Sequence, residues 1–211
     1  MRDTTQELDR WLQTGGKRIG QLSISRAGEC WELRHTDDAG RDDLALFSSH
    51  EDARMLANLD DAGAYRALKT APNLRHGWRL TLTDARSVRL ALDYFYPAML
   101  GVWVAQRHGE VTPVELRGTL ARQTGMYRIT QNLTDEQAQR LVAKQCRSNG
   151  GCLKTILWRI SAGVSVPLLP PDKFRAEATP ADSLPLLCQE ACNFLVAAAR
   201  KMVKDETPTA P

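Results

Sequence analysis

The chain has 211 residues, enough to bury an ordinary core without disulfide staples, and no run approaches the roughly 20 apolar residues of a membrane span. Its 28 basic and 25 acidic residues are evenly spread and leave a net charge of +3, too weak and diffuse an electrostatic footprint for nucleic acid. The start, "MRDTTQELDRW", has no basic segment followed by an apolar one, so a cytoplasmic location is expected.

Residues 19 to 26, 30 to 36 and 43 to 48 are short runs bounded by Gly- or Asp-containing turns, which predicts strands of an antiparallel meander. "SHEDARMLANLDDAGAYRALK" has helical spacing and "HGWRLTLT" returns to strand, so residues 1–84 are expected to form a small α+β unit. From Asp84 helices dominate. Asp84 is the expected N-cap of "ARSVRLALDYFY", Pro97 interrupts it, and "AMLGVWVAQRHG" is a helix ending near Gly109.

"TPVE" at 112 to 115 reads as a capping box with proline at the first helical position, which predicts a helix over 113–123. Thr134 with Gln137 repeats the device, and the helix "DEQAQRLVAKQC" delivers Cys146 at its end, with "SNGG" as stop signal. Leu153, Ile156, Leu157 and Ile160 fall at helical spacing, so Cys152 is expected to start another helix. A connection with four prolines between 167 and 180 follows. A last helix, capped by Asp182 or Ser183, would place Cys188 and Cys192 on one face, a turn apart.

Five cysteines in a reducing compartment suit metal binding better than a disulfide framework, with two close pairs and Cys30 left over. Any one alone is more often a small buried hydrophobe than a ligand, and the second pair lies among leucines that explain its burial. The turn between Cys146 and Cys152 offers nothing apolar. Structural zinc usually takes pairs two to four residues apart, and five is wide for one ion. A 4Fe-4S cube places one thiolate on each of four irons and tolerates wider spacing. Backbone N-H groups at the Gly-Gly turn and at helix starts could donate to its sulfurs, and Lys144, Arg147 and Lys154 either offset its negative charge or form a solvated basic edge.

Cys-x5-Cys, 35 residues, then Cys-x3-Cys is similar to the cluster pattern of sirohaem-dependent sulfite and nitrite reductases, but the chain lacks their length and paired repeats. "YFYPAMLGVWVAQRHGEVTPVEL", "KQCRSNGGCLKTILWRI" and "CQEAC" more closely resemble the C-terminal half of the multidomain CbiX-type chelatase-like family: a stabilising domain and a 4Fe-4S cluster domain. The resemblance implies Cys146, Cys152, Cys188 and Cys192 as cluster ligands. The chelatase-like half has no counterpart in this sequence, so no metal-inserting histidine carries over.

The expected class is therefore α+β: a small antiparallel-sheet domain with helices over residues 1–84, an all-helical 4Fe-4S cluster domain over 85–205, and a flexible tail over 206–211. The implied function is a redox or structural accessory to a chelatase-like protein or domain in tetrapyrrole metabolism, not a catalyst by itself. The alternative is an interaction module whose four cysteines hold structural zinc. His35, His50, His76 and His108 lie in different segments, form no short ligand motif and read as surface residues. No glycine-rich phosphate loop is present. Tyr94, Phe95, Tyr96 and Trp103 read as core, and Arg117, Arg122, Tyr127 and Arg128 are candidates for pairing with tetrapyrrole carboxylates.

Overall fold

The structure is a computed structural model that describes residues 3–111, 114–121, 132–146, 151–160 and 182–206. The chain divides into two compact units, Met1–Val111 with Thr179–Leu186, and Thr112–Ala178 with Leu187–Pro211. Its architecture is mixed α and β, with a mostly antiparallel sheet.

The first unit opens on helix α1 (Thr4–Gln13), an element the strand and helix signals above do not assign. Asp3 caps it by accepting from the Thr5 and Gln6 amides, and Leu8, Trp11 and Leu12, three and four apart, supply its buried face. Strands β1 (Arg18–Ile19), β2 (Leu22–Ala27) and β3 (Cys30–His35) follow, then β4 (Ala45–Phe47), helix α2 (Asp52–Leu56) and β5 (Trp78–Leu82). The sheet runs β4-β5-β3-β2-β1 and ends on the two-residue strand Ser183–Leu184. β2 and β3 pair antiparallel from Leu22↔His35 to Ala27↔Cys30, and β3 pairs antiparallel with β5. The expected meander holds there, but β4 joins β5 in parallel rather than extending the hairpin order.

The helix expected over residues 49–69 shortens to α2. After Leu56 the chain turns, because Asp60 accepts from the Ala64 amide and Gly63 takes a φ of 75°. The loop is tied to the guanidinium of Arg66, which is only 2% exposed and donates to the carbonyls of Ala57, Lys69 and Ala71 and to Asn73 Oδ1. A buried fork of donors thus satisfies carbonyls that a helix would have satisfied internally.

Asp84 caps helix α3 (Ala85–Phe95) as expected, accepting from the Ser87 amide at 2.8 Å. Pro97 separates it from α4 (Met99–Arg107), and Ala98 takes the left-handed conformation at the joint, φ 63°. In the first unit α3 packs against β5, and α4 packs against α1 and α3. Phe95 stacks on Trp78 with centroids 5.2 Å apart, and Trp103 meets Trp11 edge-on at 6.1 Å. Phe95, Tyr96 and Trp103 are core residues, whereas Tyr94 is partly exposed.

The second unit departs further from expectation, since it is not built of helices alone. Helix α5 (Leu116–Ala121) starts three residues later than the capping box implied, because Val114–Glu115 pairs in parallel with Trp158–Arg159. Thr112 and Pro113 lie outside the described residues. Helix α6 (Asp135–Cys146) has the expected bounds and cap: the Gln137 amide donates to Thr134 Oγ1 at 3.2 Å, and the Thr134 amide donates to Gln137 Oε1 at 2.9 Å.

The helix expected to start at Cys152 is replaced by the short strands Thr155–Ile156 and Trp158–Arg159. The residues there that satisfy helical spacing, Ile156 and Ile160, serve equally as inward positions of an extended segment. The last helix, α7 (Asn193–Glu206), begins about ten residues later than expected. Pro185 holds Leu184 extended and has no N-H to give, so Ser183–Leu184 and Leu187–Cys188 form strands instead. α5, α6 and α7 share one core with residues of the strand segment, including Leu120, Leu141, Ile156, Ile160, Leu195 and Ala199.

Candidate metal centre

α6 and α7 pack against each other in the second unit. Their direction is fixed by side chains: Glu206, the last residue of α7, accepts from Gln137 at 3.0 Å and from Arg140 at 2.6 Å, both in the first half of α6. These bonds hold the Glu206 carboxyl below its ordinary range. The helices are therefore antiparallel, and the C-terminus of α6 lies toward the N-terminus of α7. Cys146 is the last residue of α6, and Cys192 immediately precedes α7, its carbonyl accepting from the Val196 amide at 3.0 Å.

Cys188 lies on a strand, and Cys152 precedes the strand Thr155–Ile156 by three residues. Leu187–Cys188 pairs in parallel with Thr155–Ile156, Cys188 standing opposite Ile156, and the Leu157 amide donates to the Cys188 carbonyl at 2.8 Å. Cys146 packs against the cluster that contains Ile156, Ala191 and Leu195. Cys146 and Cys192 thus stand at the facing ends of the antiparallel α6 and α7, and Cys188 lies on the strand beside Ile156. Cys188 and Cys192 do not share a helix face, as expected from the sequence; one sits on a strand and the other at a helix entrance. Cys30 belongs to β3 in the first unit.

None of the five cysteines is disulfide-bonded; Cys192 is exposed and the others are partly buried. The Cys188 thiol donates to the Glu190 carbonyl at 3.2 Å. Among the described residues no three thiols have their sulfurs within 4.8 Å of one another. A single zinc tetrathiolate needs sulfurs roughly 3.8 Å apart, whereas thiolates on the corners of a four-iron cube stand wider. Four thiols and no imidazole would suit either a 4Fe-4S centre or a structural zinc.

The local electrostatics also suit an anionic group. α7 is fourteen residues long, and the first N-H groups of a helix have no partner within it and carry its positive dipole end. Lys144 lies in the last turn of α6, where it opposes the negative end beside Cys146. Arg117, a candidate for carboxylate binding, is instead paired with Asp135 at 2.6 Å. Arg122, Tyr127, Arg128 and the turn at 147–150 lie outside the described residues.

The histidines differ from expectation. His35 is 1% exposed rather than a surface residue, and its ring lies 4.3 Å from that of His76, 41 positions later. The pairing of β3 with β5 brings these segments together. The only local sequence signal is His35-x-Asp37.

Residues 4–107 match the model of the DR2241 stabilising domain, and residues 108–201 match that of a 4Fe-4S iron-sulfur cluster binding domain. No curated protein matches the chain. Among solved structures, DR2241 of Deinococcus radiodurans is similar over 97% of this chain, with 32% identity and a TM-score of 0.75. It is a multi-domain protein with structural similarity to chelatases and two additional novel domains. The present chain spans 43% of its length.

Proposed function

We propose that the chain carries a 4Fe-4S cluster on Cys146, Cys152, Cys188 and Cys192, and serves as a redox or structural accessory to a chelatase-like protein or domain of the CbiX type. The observation that carries this reading is the match of residues 108–201 to a cluster-binding domain, a segment in which Cys146 ends α6 and Cys192 precedes the antiparallel α7. When bound, such a cluster supplies one-electron chemistry. The chain's own residues have a distinct role: the strand Leu187–Cys188 and the two helix ends would present three of the thiols, the segment before Thr155–Ile156 the fourth, and the start of α7 offers N-H groups to negative charge.

The chelatase association rests on the D. radiodurans protein, whose 32% identity to this chain runs over nearly all of it. On this reading the chain corresponds to the C-terminal half of such an architecture, acts in the cytoplasm, and works beside the metal-inserting domain in tetrapyrrole metabolism. Four thiolates leave no iron open to a substrate, which favours electron transfer or scaffolding over catalysis at the cluster. No helix among the described residues is long and apolar enough to cross a membrane.

Anaerobic purification followed by iron, sulfide and zinc analysis tests the proposal. About four irons and four sulfides per chain, with the broad visible absorption of thiolate-bound iron, are expected. Colourless protein with one zinc would establish the zinc-stabilised interaction module instead. Electron paramagnetic resonance before and after dithionite then separates the two cluster roles, because a structural cluster resists reduction and an electron carrier gains a signal.

A further inference from the structure

We propose that His35, His76 and Asp37 form a second metal site, in the first unit, for a divalent first-row transition ion such as zinc or cobalt. The proposal does not depend on the cluster reading. One ligand atom from each residue lies within 4.8 Å of the other two, and among the described residues this is the one such group. His35 Nδ1 stands 3.8 Å from Asp37 Oδ2. A metal-nitrogen distance of about 2.0–2.1 Å in a tetrahedral site places ligands roughly 3.3 Å apart, so closure needs only a small contraction. Asp37 sits in an exposed one-turn 3-10 helix and His76 is partly exposed, which permits that movement.

The surrounding groups are arranged as outer partners of a metal site. His76 Nε2 lies 2.9 Å from Asp61 Oδ1, the carboxylate–imidazole contact that orients a ligating ring and leaves Nδ1 for the ion. His35 Nε2 faces the Gln21 amide at 3.0 Å, and Gln21 Oε1 accepts from the Leu74 N-H at 3.1 Å. Asp38, the neighbouring carboxylate, is committed to Arg41 and to the Gly77 amide. Two imidazoles and one carboxylate leave a coordination position open to water.

The Asp37 N-H donates to Nδ1 at 3.1 Å while the Gln21 NH2 faces Nε2. A neutral imidazole has one lone pair and one N-H, so it accepts only one of these and its own N-H faces a donor. A small rotation of the Gln21 amide lets Nε2-H donate to the second lone pair of Gln21 Oε1, which leaves Nδ1 as the lone-pair nitrogen on the side of Asp37.

The test is a cobalt(II) titration of the full chain, read by calorimetry and visible absorption, with X-ray absorption at the bound metal. Cluster-loaded wild type is expected to bind one added cobalt with nitrogen and oxygen ligands only. His76→Ala and Asp37→Asn, both at partly or fully exposed positions, should lose more than tenfold in affinity with unchanged circular dichroism. Asp61→Asn should lose roughly 10–100-fold, as removal of an outer partner does. Absence of binding, or sulfur-coordinated cobalt that disappears in Cys188→Ser and persists in His76→Ala, would overturn the proposal.

Discussion

Cys188 stands opposite Ile156 in a parallel strand pair, four positions beyond Cys152, so one thiol is tied by backbone to the segment that carries another. If all four thiols hold one cluster, removing any of them should release it. Cys188→Ser or Cys152→Ser is expected to purify with less than a tenth of the wild-type iron, on the order of what an incomplete ligand set retains. Cys30→Ser changes a β3 residue in the first unit and should retain full iron. Loss of iron in Cys30→Ser with the fold intact would reassign the ligands.

The hydroxyl of Tyr96 is expected to matter as much as its ring. It accepts from the Gln21 amide at 2.8 Å, across 75 positions, and burial pushes its pKa up to about 12. Tyr96→Phe strands that amide and should cost about 1–2 kcal/mol in denaturant unfolding. Because the phenol stays neutral, the cost should be constant from pH 6 to about pH 9. Gly20→Ala should cost at least as much, since a Cβ there meets the Tyr96 oxygen at 2.5 Å and φ is 55°.

What the sequence made legible follows the range of the interactions involved. Asp84, and Thr134 with Gln137, announce their helices because capping is settled within three residues. The β2–β3 hairpin is equally local. The helices expected after Cys152 and Ser183 failed because both segments meet a partner strand far away in sequence, Leu187–Cys188 for one and β1 for the other. The cysteine spacing pointed to the metal chemistry without showing how the thiols are presented. The His35–His76 contact depends on β3 pairing with β5 and had only the short His-x-Asp spacing to suggest it.

Asp84 gives a pH-dependent prediction. The Ser87 amide and hydroxyl hold its carboxyl below the ordinary range, so the folded chain binds that proton less readily than the unfolded chain. The stabilisation is fully present above the unfolded pKa of about 3.9 and is lost as pH falls through the lower folded value. Asp84→Ala should destabilise the first unit by about 1 kcal/mol at pH 7. The difference from wild type should shrink steadily below about pH 4. A difference that held constant down to pH 2 would show that the cap does not depend on the charge.

Arg66 is expected to be the least replaceable cation of the first unit. Its guanidinium serves four acceptors of the loop after α2, at 2.7 to 3.3 Å, while burial lowers its pKa. Lysine keeps the charge but loses the planar fork, and its compact ammonium cannot span acceptors on opposite sides. Arg66→Lys should therefore cost roughly 2–4 kcal/mol, close to the cost of Arg66→Met. Lys69, which already donates to the Ala57 carbonyl at 3.0 Å, would remain as the nearest cation. Hydrogen exchange separates this from a general loss of stability. Amides over residues 57–75 should open first, while β2, β3 and β5 keep their protection as a more stable cooperative element. Equal loss of protection in the loop and the strands would mean that the arginine supports the whole unit rather than the loop it caps.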